Sequence, residues 1–267
     1  MFIPKSNFPA LILAALGLAL LASQPVQAQQ QWNCDVDDYI AKAIGIEEPW
    51  LENAAYVFAQ ASNDRPGSLA LSPELEARLG ERVGLELDVP ALTVNDPLGH
   101  AQAVAGPAGA GLKFAAIHTC AMDQGRATLL TFEAEAQQWI DPHPAELPGA
   151  GNTVAVQAMW AQLWYPWFTQ GEAGYVQHVG AGPMSGWYLN TSVGKNLRAG
   201  LAVQLEAEID NQSTRADGQR GLEGSLFPQI SYHVGQHWTF ALGEQVSLRQ
   251  GDGHLEWSTV GMVEREF

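Results

Sequence analysis

The sequence predicts an all-β protein: an antiparallel, up-and-down transmembrane β-barrel of about twelve strands, with short turns at one end and longer loops at the other. Three observations predict it. Apolar and polar residues alternate almost everywhere after residue 53, the connections sort into tight and long, and an apolar leader precedes the whole pattern. Strand side chains point to opposite faces in turn, so period-two alternation marks a strand with two different surroundings. A helix would instead repeat its apolar residues at three- and four-residue steps.

The leader has the order of a secretory signal. Lys5 supplies a positive start, residues 9–23 are almost wholly apolar, and Val26-Gln27-Ala28 fits a small-residue cleavage site. A membrane anchor is the alternative, but the apolar run falls short of the ~20 residues that a spanning helix needs. Cleavage after Ala28 leaves 239 of the 267 residues. The expected organisation is a signal peptide at 1–28, a periplasmic segment at 29–52 that forms a short helix or a partial plug, and a barrel at 53–267. No later stretch is long and apolar enough to span a bilayer as a helix.

Composition removes some function classes. Against 13 basic residues stand 29 acidic ones, a net charge of −16. Nucleic-acid binding needs a basic face, and so does adhesion to an anionic membrane surface. Many glycines (27) and tryptophans (9) suit a protein of many turns with aromatic side chains at a lipid boundary.

The strands are read in order at 54–61, 68–78, 82–90, 110–118, 127–140, 152–165, 172–180, 186–195, 198–209, 222–234, 237–248 and 255–267. The first two alternate least clearly, which leaves ten strands as the alternative count. In the ninth, Leu201, Val203, Leu205 and Ile209 oppose Gln204, Glu206 and Glu208. In the third, Val83, Leu85 and Leu87 oppose Gly84, Glu86 and Asp88. The even-numbered connections are mostly tight, as at Leu79-Gly80-Glu81, Asn196-Leu197 and Gly235-Gln236, whereas residues 91–109, 141–151 and 210–221 make long polar or Pro/Gly-rich links. An outer-membrane barrel sorts its periplasmic turns and extracellular loops in this way. A soluble barrel has no reason to.

The final strand carries a resemblance. Leu255, Trp257, Val263 and the terminal Phe267 share one face, similar to the C-terminal signal by which Gram-negative outer-membrane β-barrel proteins are recognised by the barrel-assembly machinery. Arg265 departs from the usual apolar position; near the interface its head group can reach water. A second stretch, Glu74-Leu-Glu-Ala-Arg-Leu-Gly-Glu-Arg-Val-Gly-Leu-Glu-Leu-Asp-Val-Pro90, with Gly111-Leu112-Lys113-Phe114 after it, resembles an early hairpin of a broad group of outer-membrane transporters, some labelled as phenol-degradation-pathway proteins. These resemblances imply an outer-membrane location, lipid and the assembly machinery as partners, and no particular substrate.

Two aromatic girdles are expected: Trp164, Tyr165, Trp167, Phe168, Tyr232, Trp238 and Phe267 at the inner boundary, and Trp139, Trp187, Tyr188 and Trp257 at the outer one. If the apolar faces meet lipid, Glu86, Asp88, Glu133, Glu135, Arg198, Glu206 and Glu208 face the lumen. Twelve strands enclose more than their side chains fill, and acidic lumenal groups favour cations. A channel or transporter for a small solute is one reading. A non-conducting barrel, either a structural or adhesin-like outer-membrane protein or a soluble periplasmic binder, is the other; there the carboxylates are solvated or pair with Arg198, Arg126 and Lys113.

The sequence holds no Gly-x-Ser-x-Gly elbow, His-Glu-x-x-His or phosphate-cradling loop, and His178, His233, His237 and His254 are scattered. No enzyme, metal or cofactor is expected. Cys34 and Cys120, the two cysteines, would both enter an oxidising compartment. The expected topology puts them on the same side of the membrane, so a disulfide between them is allowed.

Overall fold

The computed structural model describes Val36 and residues 39–62, 69–95, 102–139, 151–179, 185–198, 200–211, 221–235, 237–249 and 255–267. The leader, the Ala28 cleavage position and Cys34 lie outside the described residues. The strands are β1 (Ala54–Ser62), β2 (Leu69–Arg78), β3 (Val83–Asp88), β4 (Leu92–Asn95), β5 (Gln102–Ala105), β6 (Pro107–Ala121), β7 (Arg126–Trp139), β8 (Asn152–Trp164), β9 (Trp167–Val179), β10 (Gly186–Arg198), β11 (Leu201–Asp210), β12 (Glu223–Val234), β13 (Trp238–Arg249) and β14 (Leu255–Glu266).

These fourteen segments occupy twelve positions around a closed antiparallel barrel. Neighbouring positions pair with one another, and β1 pairs with both β2 and β14, which closes the barrel. β3 and β4 are one position interrupted near Pro90: β3 pairs with the first part of β6, and β4 with β5. Both halves lie against β2. β5 and β6 are likewise one long position broken at Gly106. The expected loop at 91–109 is therefore largely a hairpin that extends the barrel wall. Its short run Leu92-Thr93-Val94 was legible as β-prone only once a partner was available to pair with it.

A second difference falls after β8. The sixth connection is the two-residue turn Tyr165-Pro166, with a cis peptide bond, and β9 begins at Trp167 rather than at 172. Trp167 and Phe168 thus open a strand instead of closing one. The other tight turns lie at the same end: residues 79–82, the 3₁₀ turn Met122–Gln124, and the links around Gly200 and Gly235. Gly125, Gly200 and Gly235 hold positive φ there, a backbone state that side chains with a Cβ resist. Ala54 and Phe267 lie at this short-turn end too, and the Phe267 N–H donates to the Asn53 carbonyl at 2.9 Å.

The outer surface is apolar around the whole barrel. Val57, Leu75, Leu87, Phe114, Phe132, Val156, Val193, Leu205, Leu226, Ile230, Leu242, Leu248 and Val263 all project outward and exposed. Water would charge a large free-energy cost for a continuous apolar belt, whereas lipid covers it at none. Trp164, Trp167, Tyr232, Trp238 and Phe267 are exposed at the short-turn end, and Trp187 and Trp257 nearer the other. Three expected girdle members differ. Phe168 is fully buried in the interior, Tyr188 bonds the lumenal Gln157, and Trp139 lines an interior cavity. Each sits on the even or odd parity that its strand turns inward, so strand phase overrides its aromatic character.

Candidate lumenal site between wall and plug

The inner face changes along the barrel axis. At the short-turn end it is apolar: Ala127, Leu129, Ala161, Leu163, Phe168 and Ala202 form a cluster there. In an open pore that surface would face water. It does not, because Val36, Ile40 and Trp50 of the N-terminal segment pack onto it. Ile44 does the same on the opposite wall, against Ala54, Tyr56, Phe227, Ala241, Val260 and Met262. Residues 39–52 therefore run inside the barrel. They contain turns and bends and no helix; residues 29–35, 37 and 38 of the expected segment lie outside the described residues. Pro49 and Gly45 both disfavour a helix in so short a segment.

An irregular segment buried this way has backbone groups that need partners. The wall supplies them. Gln170 Nε2 donates to the Ala41 carbonyl (2.6 Å), Gln204 Nε2 to that of Lys42 (2.8 Å), Asn190 Nδ2 to that of Gly45 (3.1 Å) and Asn196 Nδ2 to that of Tyr39 (2.7 Å). In return the N–H of Ile44 donates to Gln229 Oε1 (3.0 Å), that of Gly45 to Glu206 (3.3 Å) and that of Glu47 to Glu172 (3.0 Å). The Thr131 hydroxyl donates to the Pro49 carbonyl. Wall side chains thus take the place of the hydrogen bonds that a helix or strand would make with itself.

Two lysines lock the segment electrostatically, one from each side. Lys113 of β6 is 1% exposed, and its ammonium lies 3.2 Å from Glu47 of the segment, 2.5 Å from Glu76 and 2.8 Å from Glu86. Lys42 of the segment pairs with Glu48, approaches Glu74 at 4.0 Å and stands 3.3 Å above the Tyr56 ring. Burial alone would lower the Lys42 pKa, but Glu48 and Glu74 together hold it well above its ordinary value. Burial would likewise raise the Glu48 carboxyl, yet Lys42 and Lys113 hold it at about 2. At Glu52 the balance is reversed: burial, then Glu264 and Glu48, push its carboxyl well above the usual range against a smaller opposing pull from Lys42.

The carboxylates outnumber these two ammonium groups and are linked. Among the described residues, four groups of closely spaced acids occur, with one oxygen of each member within 4.8 Å of the others: Glu86, Asp88 and Glu135; Glu47, Glu74, Glu76 and Glu86; Glu48, Glu52 and Glu76; and Glu52, Glu264 and Glu266. Successive groups share Glu86, Glu76 and Glu52. The result is a seam of carboxylates between plug and wall that reaches from mid-barrel to the short-turn end.

Six of the seven residues singled out as lumenal do face inward. Glu86 and Glu133 are buried beside Lys113, with Glu133 accepting from Gln157 (2.7 Å). Asp88 accepts from Gln137 (3.3 Å) and neighbours Glu135. Glu206 accepts from Gln229 (2.5 Å) as well as from the plug, and Glu208 from Ser225 (3.0 Å). Arg198 is placed differently. An irregularity between Asn196 and Arg198 shifts the register, so Arg198 pairs with Leu201, which shares a face with the lipid-facing Val203 and Leu205. It ends up exposed at the turn. Arg126, one of the cations available to neutralise the carboxylates, is also exposed at the short-turn end of β7. Sequence reasoning missed Glu74, Glu76, Glu172 and Glu264. The first two alternate with Leu75 and could have been found; Lys42, Glu47 and Glu48 belong to no periodic element and carried no signal. Cys120 is disulfide-bonded and packs beside the cluster that holds Val36.

Above the plug the lumen opens into a cavity of about 610 Å³ lined by Glu135, Gln137, Trp139, Glu172, Tyr188 and Glu208. A second lobe of about 310 Å³, bounded by Gln60, Gln245, Glu256 and Ser258, shares Glu208, Asp210 and Glu223 with it. No Lys or Arg lines either lobe among the described residues. Beneath, between plug and wall, the cavity beside Lys42, Ser231 and Glu264 holds only about 30 Å³, room for a water or so.

No protein-family model matches the chain, and no curated protein matches it. Solved structures do. The KdgM porin superposes with a TM-score of 0.50 at 9% identity, over 80% of this chain and 99% of that one. The NanC porin, in a rhombohedral crystal form, gives a TM-score of 0.53 at 9% identity, over 80% of this chain and all of that one. At such identity the likeness is one of fold, and the barrel of this chain has the fold of these porins.

Proposed function

We propose that the protein is an outer-membrane channel for small, positively charged solutes, with the lower lumen closed by its own N-terminal segment. The observation that carries this reading is the acidic cavity of about 610 Å³ that opens at the long-loop end and stops on the plug. Carboxylates facing water favour cations and repel anions. The apolar belt and the porin-like closure supply the membrane setting, with the short turns and both ends of the barrel in the periplasm. The hairpin resemblance to outer-membrane transporters agrees with the class and names no solute. The proposal invokes no enzymatic step.

The disulfide at Cys120 belongs to the same reading. Cys34 is the only other cysteine, and two residues beyond it Val36 packs in the cluster that Cys120 borders. A Cys34–Cys120 bridge anchors the start of the plug to the β6 end, while Asn53 continues into β1. The plug is then tethered at both ends, so opening means a rearrangement within the lumen rather than release into the periplasm. Peptide mapping with and without reductant tests the bridge.

The tight docking of residues 39–52 favours one competing reading, a permanently closed structural barrel. Planar-bilayer recording in a salt gradient separates the two. A channel gives discrete, cation-selective currents that rise when the plug contacts are weakened. A barrel silent both as the native chain and with weakened plug contacts would falsify the transport reading.

A further inference from the structure

We infer that Glu48, Glu52 and Glu76 form a binding site for a hard divalent cation of the calcium class, set where the plug joins the barrel. The inference needs the fold and the docked plug but not the channel reading. One carboxylate oxygen of each residue lies within 4.8 Å of the other two, the spacing that oxygen ligands adopt around such an ion. Glu48 and Glu52 come from the plug and Glu76 from β2, so the ligands converge from two different parts of the chain.

The second observation is the state of the individual oxygens. Glu48 is wholly buried, and its two oxygens differ: Oε1 is engaged by Lys42 and by the Tyr56 hydroxyl (2.6 Å), while Oε2 is buried with no hydrogen-bond partner. Glu52 repeats the pattern, with Oε1 against the Tyr56 hydroxyl and Oε2 buried and unpartnered. Glu76 Oε1 is held by Lys113 at 2.5 Å. Outer groups therefore orient all three carboxylates, and two of them keep a buried oxygen with no hydrogen-bond partner among the described residues. A buried carboxylate oxygen without a donor is costly, and an ion with oxygen-only preferences removes that cost. Lys42, Tyr56 and Lys113 act here as the supporting shell that fixes ligand direction.

The surroundings also give the ion a route. Glu52 is shared with the group formed by Glu264 and Glu266 at the short-turn end, and Glu76 with the group around Glu47 and Glu86 toward the cavity. Carboxylates thus continue in both directions from the site. A bound ion would tie Glu48 and Glu52 to the β2 wall, adding to the two lysine locks.

Terbium luminescence on the full, folded chain in detergent tests the site, because Tyr56 contacts two of the ligands and can sensitise a lanthanide bound between them. Saturable tyrosine-sensitised emission that calcium displaces is expected, with a calcium Kd in the ~0.1–1 mM range of exported modules. Glu52→Gln and Glu76→Gln should each weaken it by about tenfold or more, with heat-modifiable gel mobility retained as proof of folding. Glu256→Gln, in the upper cavity, should leave it unchanged. Absence of saturable emission from the native chain overturns the site, and so does binding that survives both substitutions. Should one variant fail to fold, the other decides. Conductance measured on the same samples keeps the two readings apart: binding without current supports the site and removes the channel, while current without binding does the reverse.

Discussion

The two halves of the lumen are built on opposite principles. The upper half is wide, acidic and open, with Glu135, Glu172 and Glu208 on its walls. The lower half is filled: Ile40, Ile44 and Trp50 pack on apolar wall residues, and Lys42 and Lys113 cross-link plug and wall. The same twelve strands line both. What differs is the partner each inner face meets, water above and polypeptide below. A barrel wall is therefore not polar inside by rule; its inner face matches whatever occupies it.

The contrast can be broken most severely at Lys113. Lys113→Met leaves Glu47, Glu76 and Glu86 facing one another without their shared cation. Removing one partner of a buried pair costs about 3–5 kcal/mol, so the plug should undock. The expected result is protease cleavage within residues 39–52 and larger currents, from a barrel that still shows heat-modifiable mobility. Unchanged protection of the segment would mean that packing alone holds it.

Ile40→Ala tests that packing. Truncation at a site with no exposed surface costs roughly 2–5 kcal/mol, and here only the plug's docking should weaken, since Ile40 is not part of the wall. Hydrogen exchange should rise at residues 39–52 and stay fixed in β7 and β8. Exchange that rises equally in the strands would show plug and barrel to be one cooperative unit.

The upper half responds differently. Glu135→Gln combined with Glu208→Gln should lower cation-over-anion permeability, read as a shift in reversal potential, and leave plug protection untouched. A unit charge about 8 Å from a permeating ion in water is worth about 0.5 kcal/mol, or roughly a twofold change per residue. An unaltered reversal potential would place the selectivity elsewhere. Smallest of all is Arg198→Gln. At an exposed turn position it should change stability by no more than about 0.5 kcal/mol and leave selectivity alone. A clear loss of selectivity would put Arg198 back in the conduction path.

Much of the wall was legible because alternation is a local property. Leu201, Val203 and Leu205 against Gln204 and Glu206 need no knowledge of the rest of the chain to be assigned two faces. Where a local irregularity intervenes, parity counting fails, as at Arg198, where one extra residue in the pairing turns the side chain outward. The hairpin of β4 and β5 was hidden for a related reason: four-residue strands are marginal until they pair, here with each other and, for β4, with β2. Glu74 and Glu76 were within reach of the alternation argument, but strand two read weakly around Pro73.

The sequence by itself determined that this chain forms a barrel of ten to twelve strands, which faces meet lipid and that the inner faces are rich in acid; the closure of the sheet settled the count at twelve positions. Only the tertiary structure decided what those acids do. Gln204 and Glu206 read as the polar face of a pore, and Gln170 fell in an expected connection, yet all three serve the backbone of residues 39–52. That segment has no period of its own to betray its place. Its conformation is set by a ring of side chains contributed from distant strands, which exists only after the barrel has closed around it.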